Sequence, residues 1–246
     1  MTYCVALRLK AGLVMLSDTR TNAGVDNVSR FRKMFTWSVP GERAVVMMTA
    51  GNLAVTQSVI SQLEDAIADP NYQGDTVLNA PSIYRIAEIV GGLMQDAQNR
   101  WGSGVTAMSE SIYATMLVAG QRVGGAPRLF MVYSAGNFIE ATEDTPFFQL
   151  GEFKYGKPII DRVINYDSTL DDGLTACLLS MDSTLRSNLS VGMPLDLSII
   201  PTDAFGFSEH RRIEADDANY RAMSDAWSAS LREGFIKMRE APKWSE

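Results

Sequence analysis

The spacing of hydrophobic positions along this chain changes period several times, and the changes divide it into blocks. Residues 2–9 alternate, with Tyr3, Val5, Leu7 and Leu9 on one face and Thr2, Cys4, Ala6 and Arg8 on the other, the period-two pattern of a strand. Lys10, Ala11 and Gly12 form a turn, and 13–17 return as an apolar strand. A third strand is predicted over 33–39. A turn at Pro40, Gly41 and Glu42 then leads into a nearly continuous apolar strand over 43–49, of the buried type. From Asn52 the period lengthens. Leu53, Val55, Val59, Ile60 and Leu63 predict a helix ending near Asp69 and Pro70, and Ile83, Ile86, Ile89, Val90 and Met94 predict another over about 82–101. Strands are expected again at 112–123, 128–134 and 138–141, helices at 154–164 and 170–185, closing strands at 195–200 and 205–213, and a polar terminal helix at about 217–239. Two blocks of strands, each followed by a pair of helices, predict two stacked antiparallel sheets with helices outside. Gly102, Ser103 and Gly104, like Gly124 and Gly125, read as loop punctuation and not as linkers, so 1–246 is expected to be a single domain.

Composition narrows what such a chain does. Its 246 residues are 46% hydrophobic and 21% charged, ordinary for one large globular domain. A net charge of −7 argues against nucleic-acid binding, which needs cations gathered against phosphate. No apolar run approaches the roughly 18 residues that span a bilayer. The start MTYCVALRLK has no basic region ahead of an apolar core, so no signal peptide is read and a cytoplasmic location is expected. Two cysteines make no disulfide framework, and one histidine leaves no material for an imidazole-based triad or metal site. The 13 methionines are scattered, as core filling is. No metal and no organic cofactor is called for. If the chain is an enzyme, its base is not histidine.

Thr2 offers a substitute. A small second residue favours removal of Met1, which would leave a threonine with a free α-amine. Such an amine titrates at about 7.7–8.0, near the pH at which a general base works best. Nucleophile and base then share one residue, and the β-methyl group restricts the rotamer of the hydroxyl. The plain alternative is an early strand residue. Asp18 ends the second predicted strand and Lys33 opens the third, so neighbouring strand ends can gather hydroxyl, carboxylate and ammonium; taken separately, Asp18 and Lys33 read as a solvated surface pair. A buried ammonium beside Thr2 would ease deprotonation of its hydroxyl and depress its amine, and Asp18 would hold that ammonium charged. At Thr49, Ala50, Gly51 and Asn52 a buried strand turns into a helix, where a backbone N–H is a good oxyanion donor. A competing nucleophile, Cys4 with His210 as partner, reads better as a buried small hydrophobe and a solvated strand-edge residue. The terminal helix carries Trp227, Leu231, Phe235 and Met238 at helical spacing and is expected to dock on its own domain, a neighbouring subunit being the alternative.

Together these positions resemble the proteasome β-subunit family of N-terminal-nucleophile hydrolases, and most closely its bacterial ancestral-β-subunit (Anbu) branch. The stretches that carry the resemblance are MTYCVALRL, SDTRTNAGVD, FRKMF, TAGNLAVTQ, GEFKYGKPI and DSTLRSNLSVG, spread over residues 2–192. It implies an α+β fold, a four-layer αββα sandwich. It also implies Thr2 as nucleophile and base, Asp18 and Lys33 as the groups that tune it, and the Gly51 N–H as oxyanion donor. Arg20 and Thr21 match the border of the substrate channel, Asp182 matches a supporting aspartate near the nucleophile, and Ser190, or Ser187, matches the accompanying serine. Thr49 and Leu53 are expected to line the substrate pocket.

There are departures from the family pattern. Where ordinary β subunits carry Gly-Ser-Gly, this chain has Gly151, Glu152 and Phe153, and Glu152 is the candidate to replace the serine's polar role. The implied function is hydrolysis of amide or peptide bonds inside a homo-oligomer, a ring or open spiral built from dimers. No nucleic-acid or membrane partner is expected, and the sequence says nothing of an unfoldase. Alternatives are a small-molecule amidase of the same fold and a weakly catalytic assembly scaffold.

Overall fold

Two five-stranded antiparallel sheets are stacked face to face in the computed structural model, which describes residues 2–22, 28–107 and 111–240. Met1, residues 23–26 of the SDTRTNAGVD stretch and Asn27 after it lie outside the described residues. In chain order the strands begin with β1 (Tyr3–Leu9), β2 (Gly12–Asp18), β3 (Arg20–Asn22), β4 (Val28–Arg30), β5 (Met34–Val39) and β6 (Arg43–Gly51). They continue with β7 (Ala114–Arg122), β8 (Arg128–Tyr133), β9 (Phe138–Glu140), β10 (Phe147–Gly151), β11 (Leu195–Pro201) and β12 (Glu209–Ile213). The helices are α1 (Leu53–Ala68), α2 (Ile83–Ala107), α3 (Lys157–Val163), α4 (Leu170–Ser187) and α5 (Ala218–Glu240). One sheet has the order β10-β1-β2-β11-β12 and the other β5-β6-β7-β8-β9.

Side-chain alternation builds the layers. On β1, Tyr3, Val5, Leu7 and Leu9 pack with Ala176, Cys177 and Met181 of α4, while Cys4 and Ala6 face the other sheet. On β6, Val45 and Met47 pack with Val59, Leu63, Ile86 and Val90 of α1 and α2, while Ala44, Val46 and Met48 face inward. Both faces of each central strand are thus apolar and buried, which is why these strands read as continuous hydrophobic runs. The result is the four-layer αββα sandwich.

Local chemistry sets the helix starts. Asn52 caps α1 by accepting from the Val55 N–H at 3.1 Å. Thr169 and Asp172 cap α4 reciprocally, each side chain accepting from the other's backbone N–H.

The structure corrects the sequence expectations in four places. The glycines at 102 and 104 lie inside α2, which runs to Ala107. Glycine costs a helix about 1 kcal/mol, and Trp101, packed against the core between sheet and helices, anchors that turn against the loss. Strand β10 was not expected, because only Phe148 and Leu150 of its five residues are buried and so short a pattern is weak. The closing strand begins at Glu209, not at 205, because Phe205 has a positive φ of 49° that no strand accommodates. Most of the terminal helix does not dock on its own domain: Leu231, Phe235 and Met238 are 53%, 70% and 72% exposed.

Candidate active site

Three strand ends of the sandwich meet at Asp18. It closes β2 with no exposed surface, and its Oδ1 accepts from the Tyr3 N–H at 3.0 Å and from Lys33 Nζ at 2.6 Å. Its Oδ2 accepts from the Gly192 N–H at 3.2 Å. Lys33 lies just ahead of β5, 5% exposed, and also donates to the Arg20 carbonyl oxygen at 2.5 Å. Its own carbonyl accepts from the Thr49 N–H at 3.0 Å, which fixes the lysine's height against β6.

Burial pushes the Asp18 carboxyl above its ordinary value, and the Lys33 ammonium with the two backbone N–H groups pulls it back without fully cancelling the shift. Desolvation and pairing are thus in close opposition here. The ammonium and the carboxylate depend on each other.

Thr2 sits directly ahead of β1 and is 9% exposed. Its carbonyl accepts from the Glu152 N–H at 2.8 Å. Tyr3 anchors the strand start from the other face: its buried hydroxyl lies 2.5 Å from Ser180 Oγ and accepts from Gln149 Nε2 at 2.5 Å. Burial pushes the Tyr3 phenol well above its ordinary value, so it stays a protonated anchor. Gly151 is essential to this packing. Its φ is +77°, and a Cβ there would lie 1.8 Å from the Thr2 carbonyl oxygen.

The remaining sequence-derived positions divide into those the fold gathers and those it does not. Arg20 reaches over to the 188–192 segment, donating to the Leu189 carbonyl at 2.9 Å, with its guanidinium flat against Gly192. Ser190 belongs to this pinned segment, half-buried, with its N–H donating to Asn188 Oδ1 at 2.9 Å; Ser187 ends α4 exposed. Thr49 is buried on the helix-facing side of β6, Leu53 starts α1 beside it, and Thr21 is half-buried on β3 opposite Ser29. Gly51 ends β6 with φ +99°, exposed, and a Cβ on it would strike the Tyr113 carbonyl at 2.4 Å.

Asp182 is the exception. Its carboxylate is directed at α5, accepting from Ser224 Oγ at 2.7 Å and from Arg186 Nε at 3.1 Å. It ties α4 to the terminal helix and does not join Asp18 and Lys33. Its position on α4 turns it to the outer face, a matter of helical phase that motif order along the chain does not report. Glu152 meets Thr2 through its backbone, while its carboxylate lies 3.7 Å from Lys154. The pairing of Cys4 with His210 fails on topology. Two strands separate β1 from β12, a span of roughly 14 Å at ~4.8 Å per step. Cys4 is moreover buried with its thiol pushed far up by desolvation, and His210 bonds Ser198 Oγ at 2.8 Å.

Sequence reasoning missed Tyr3, Gly151 and Gly192 as working parts of the site. All three act through backbone N–H groups or through lack of a side chain, which residue chemistry does not advertise. The available signal was that Gly151 opens the quoted stretch GEFKYGKPI and Gly192 closes DSTLRSNLSVG.

The family model for proteasome subunits matches residues 2–200. Anbu from Yersinia bercovieri is 45% identical, with a TM-score of 0.88 over 99% of this chain and 98% of that one. Anbu from Hyphomicrobium sp. strain MC1 is 46% identical, with a TM-score of 0.88 over 99% of this chain and 100% of that one. A third structure, described as a helical assembly of the Anbu complex from Pseudomonas aeruginosa, is 45% identical with a TM-score of 0.91, covering 99% and 98%. No curated protein sequence matches the chain. With a family match across most of its length and Anbu structures similar from end to end, this chain belongs to the proteasome subunit family.

Proposed function

We propose that the chain is a threonine-type hydrolase of amide or peptide bonds, with Thr2 exposed by removal of Met1 and working in a self-assembled oligomer. The observation that carries this reading is the buried Lys33–Asp18 pair, 2.6 Å apart and bonded to the first residue of β1. A lysine with its ammonium held inside the protein costs several kcal/mol of desolvation, a cost that a purely structural strand end has no reason to carry. In the reaction the Thr2 α-amine takes the hydroxyl proton and Oγ attacks the substrate carbonyl carbon. The Gly51 N–H holds the oxyanion, and the protonated amine passes its proton to the departing nitrogen. Water, deprotonated by the same amine, then attacks the acyl ester, releasing a carboxylate and restoring the Thr2 hydroxyl. The Lys33 ammonium stabilises the anionic character of Oγ, and Asp18 fixes the lysine in place. The Gly51 conformation favours this role, since φ +99° at a strand end turns the backbone as no other residue readily does.

Full-length protein treated with a β-lactone and weighed intact tests the chemistry. One adduct is expected on the chain lacking Met1, and none on Thr2→Ala. An adduct on a chain that keeps Met1, or one that survives Thr2→Ala, overturns the reading. A weakly catalytic scaffold is the second reading, favoured by Glu152, whose carboxylate is engaged with Lys154 where a network serine would stand. It expects no adduct at all.

The exposed end of α5 supports self-assembly. Leu231, Phe235, Ile236 and Met238 form an apolar patch on a helix whose anchored half is held by Ser224 and Tyr220 against Asp182. Contiguous apolar surface of this kind marks an interface, and one of the similar Anbu structures is described as a helical assembly. The double variant Leu231→Asp, Phe235→Asp is expected to lower the mass seen by light scattering with no change in the circular dichroism of the subunit. An unchanged mass removes α5 from the interface. A cytoplasmic location belongs to the same proposal; among the described residues no helix is long and apolar enough to cross a membrane.

A further inference from the structure

Beneath Thr2, on the side of β1 turned away from the other sheet, polar side chains meet in a layer that is otherwise apolar. Tyr3, Val5, Leu7 and Leu9 all pack toward α4, and of these four only Tyr3 carries a polar side-chain atom. Tyr3 and Ser180 have no exposed surface. The Tyr3 hydroxyl lies 2.5 Å from Ser180 Oγ of α4 and accepts from Gln149 Nε2 of β10 at 2.5 Å. The seat is tight: a Cβ on Gly156, just ahead of α3, would lie 2.1 Å from Ser180 Oγ and 2.8 Å from the Tyr3 hydroxyl. Phenylalanine would fill nearly the same space without taking hydroxyls out of water, a cost that their pairing does little more than offset. Packing alone does not account for a tyrosine here.

Its place in the chain gives the hydroxyl a task. The ladder of β1 with β10 ends at the pair Tyr3–Gly151, and the ladder with β2 ends at Cys4–Ser17. Thr2 lies beyond both, its carbonyl accepting from the Glu152 N–H at 2.8 Å. Antiparallel ladder bonds run across the strands, so they resist a slide of β1 along its own axis poorly. A rigid side chain bonded at its tip to a helix and to a neighbouring strand resists that slide. The Tyr3 N–H also donates to Asp18 Oδ1 at 3.0 Å, so one residue is tied both to the helix layer and to the buried carboxylate. A slide at Tyr3 passes directly to Thr2, one residue away.

We propose that Tyr3 is a positioning residue for Thr2: its hydroxyl, clamped between Ser180 of α4 and Gln149 of β10, fixes where β1 ends and so where the Thr2 hydroxyl and α-amine stand relative to Lys33. The proposal rests on the reading of Thr2 as the attacking residue. Misplacing a reacting group by about 1 Å costs on the order of 100-fold in rate, and with Met1 removed no chain ahead of Thr2 holds it. The clamp acts from the far face of the strand, since Thr2 has the parity of Cys4 and Ala6, which face the other sheet. Tyr3 works through Thr2 and touches no substrate.

Two variants of the full-length protein test this. Tyr3→Phe leaves the Ser180 hydroxyl buried without its partner. The double variant Tyr3→Phe, Ser180→Ala removes that orphan as well, so its melting temperature is expected to return toward wild type. Labelling by the β-lactone is expected to be about ten-fold slower, or more, in both. The acid limb of the labelling rate, set by the Thr2 α-amine, is expected to move to higher pH in both, because the amine no longer stands as close to the Lys33 ammonium. A rate that recovers together with the melting temperature overturns the positioning role, since the hydroxyl then only stabilises. So does a slower rate whose acid limb stays in place. Hydrogen exchange of the Glu152 amide reads the displacement of Thr2 with no chemistry at that residue, and is expected to be several-fold faster in the double variant. Unchanged exchange sinks the clamp whether or not the wild type takes an adduct. Faster exchange in the variant, with no adduct on the wild type, sinks the hydrolase reading alone.

Discussion

Lys33→Met is expected to destabilise the protein by about 3–5 kcal/mol, because it strands the Asp18 carboxylate in a site with no exposed surface. The two backbone N–H groups from Tyr3 and Gly192 remain, yet they do not replace a full positive charge 2.6 Å away. The loss depends on pH, and its sign follows from the direction of the shift. Burial already raises Asp18 above its unfolded value in the native protein, and loss of the ammonium raises it further. A group whose native pKa is raised holds its proton more tightly when folded. Its contribution is fully present below the unfolded carboxylate value and is lost as pH climbs toward the raised one, at about 1.4 kcal/mol per pH unit at most. Lys33→Met is therefore expected to be nearer to wild type at pH 5 than at pH 8, as read from urea midpoints at both. The double variant Lys33→Met, Asp18→Leu should recover much of the stability at pH 8, since a buried pair exchanged for apolar groups of similar size is often neutral. Neither variant is expected to take the β-lactone adduct. Recovered folding without recovered labelling separates the chemical role of the pair from its structural one. A Lys33→Met protein equally stable at both pH values would mean that the lysine is not what keeps Asp18 ionised.

Gly151→Ala is expected to be nearly as damaging for a change of one methyl group. The new Cβ would lie 1.8 Å from the Thr2 carbonyl oxygen, and its φ of +77° is unfavourable for any residue with a side chain. The collision is with backbone, so no rotamer change relieves it. Either β10 or the start of β1 must move, and the bond from the Glu152 N–H to Thr2 breaks with it. A cost of about 2–4 kcal/mol follows from strain and lost packing together. Labelling of Thr2 should fall by more than ten-fold even below the melting transition, because Thr2, the proposed nucleophile, is displaced from the Asp18–Lys33 cluster. Alanine at position 125, a loop glycine whose added Cβ has nothing nearer than 3.7 Å, is the control, and should change neither quantity. A Gly151→Ala protein that labels at the wild-type rate would show that the junction of β10 and β1 does not set the position of Thr2.

These two expectations fall on positions that the linear pattern revealed unequally. Lys33 and Asp18 were legible as strand-end charges, since alternation on each side fixed where the strands stopped. Gly151 ends a strand that the pattern did not announce, and its importance comes from one close backbone approach. Asp182 shows the opposite failure: a sound motif position whose side chain the helix turns outward, to Ser224 of α5.

By itself the sequence determined most of the order of strands and helices and the two-faced burial of the central strands, and it placed Asp18 and Lys33 at strand ends. It could do so because period-two and period-3.6 patterns are local, and because strands whose both faces are apolar must be covered on both. Only the tertiary structure decided that β10 pairs with β1 and brings Gly151 against Thr2, that Arg20 pins the 188–192 segment over Asp18, and that α5 leaves its apolar end uncovered. Those are contacts between residues over a hundred positions apart, or the lack of one. Local spacing carries no information about which distant backbone arrives at a given strand end.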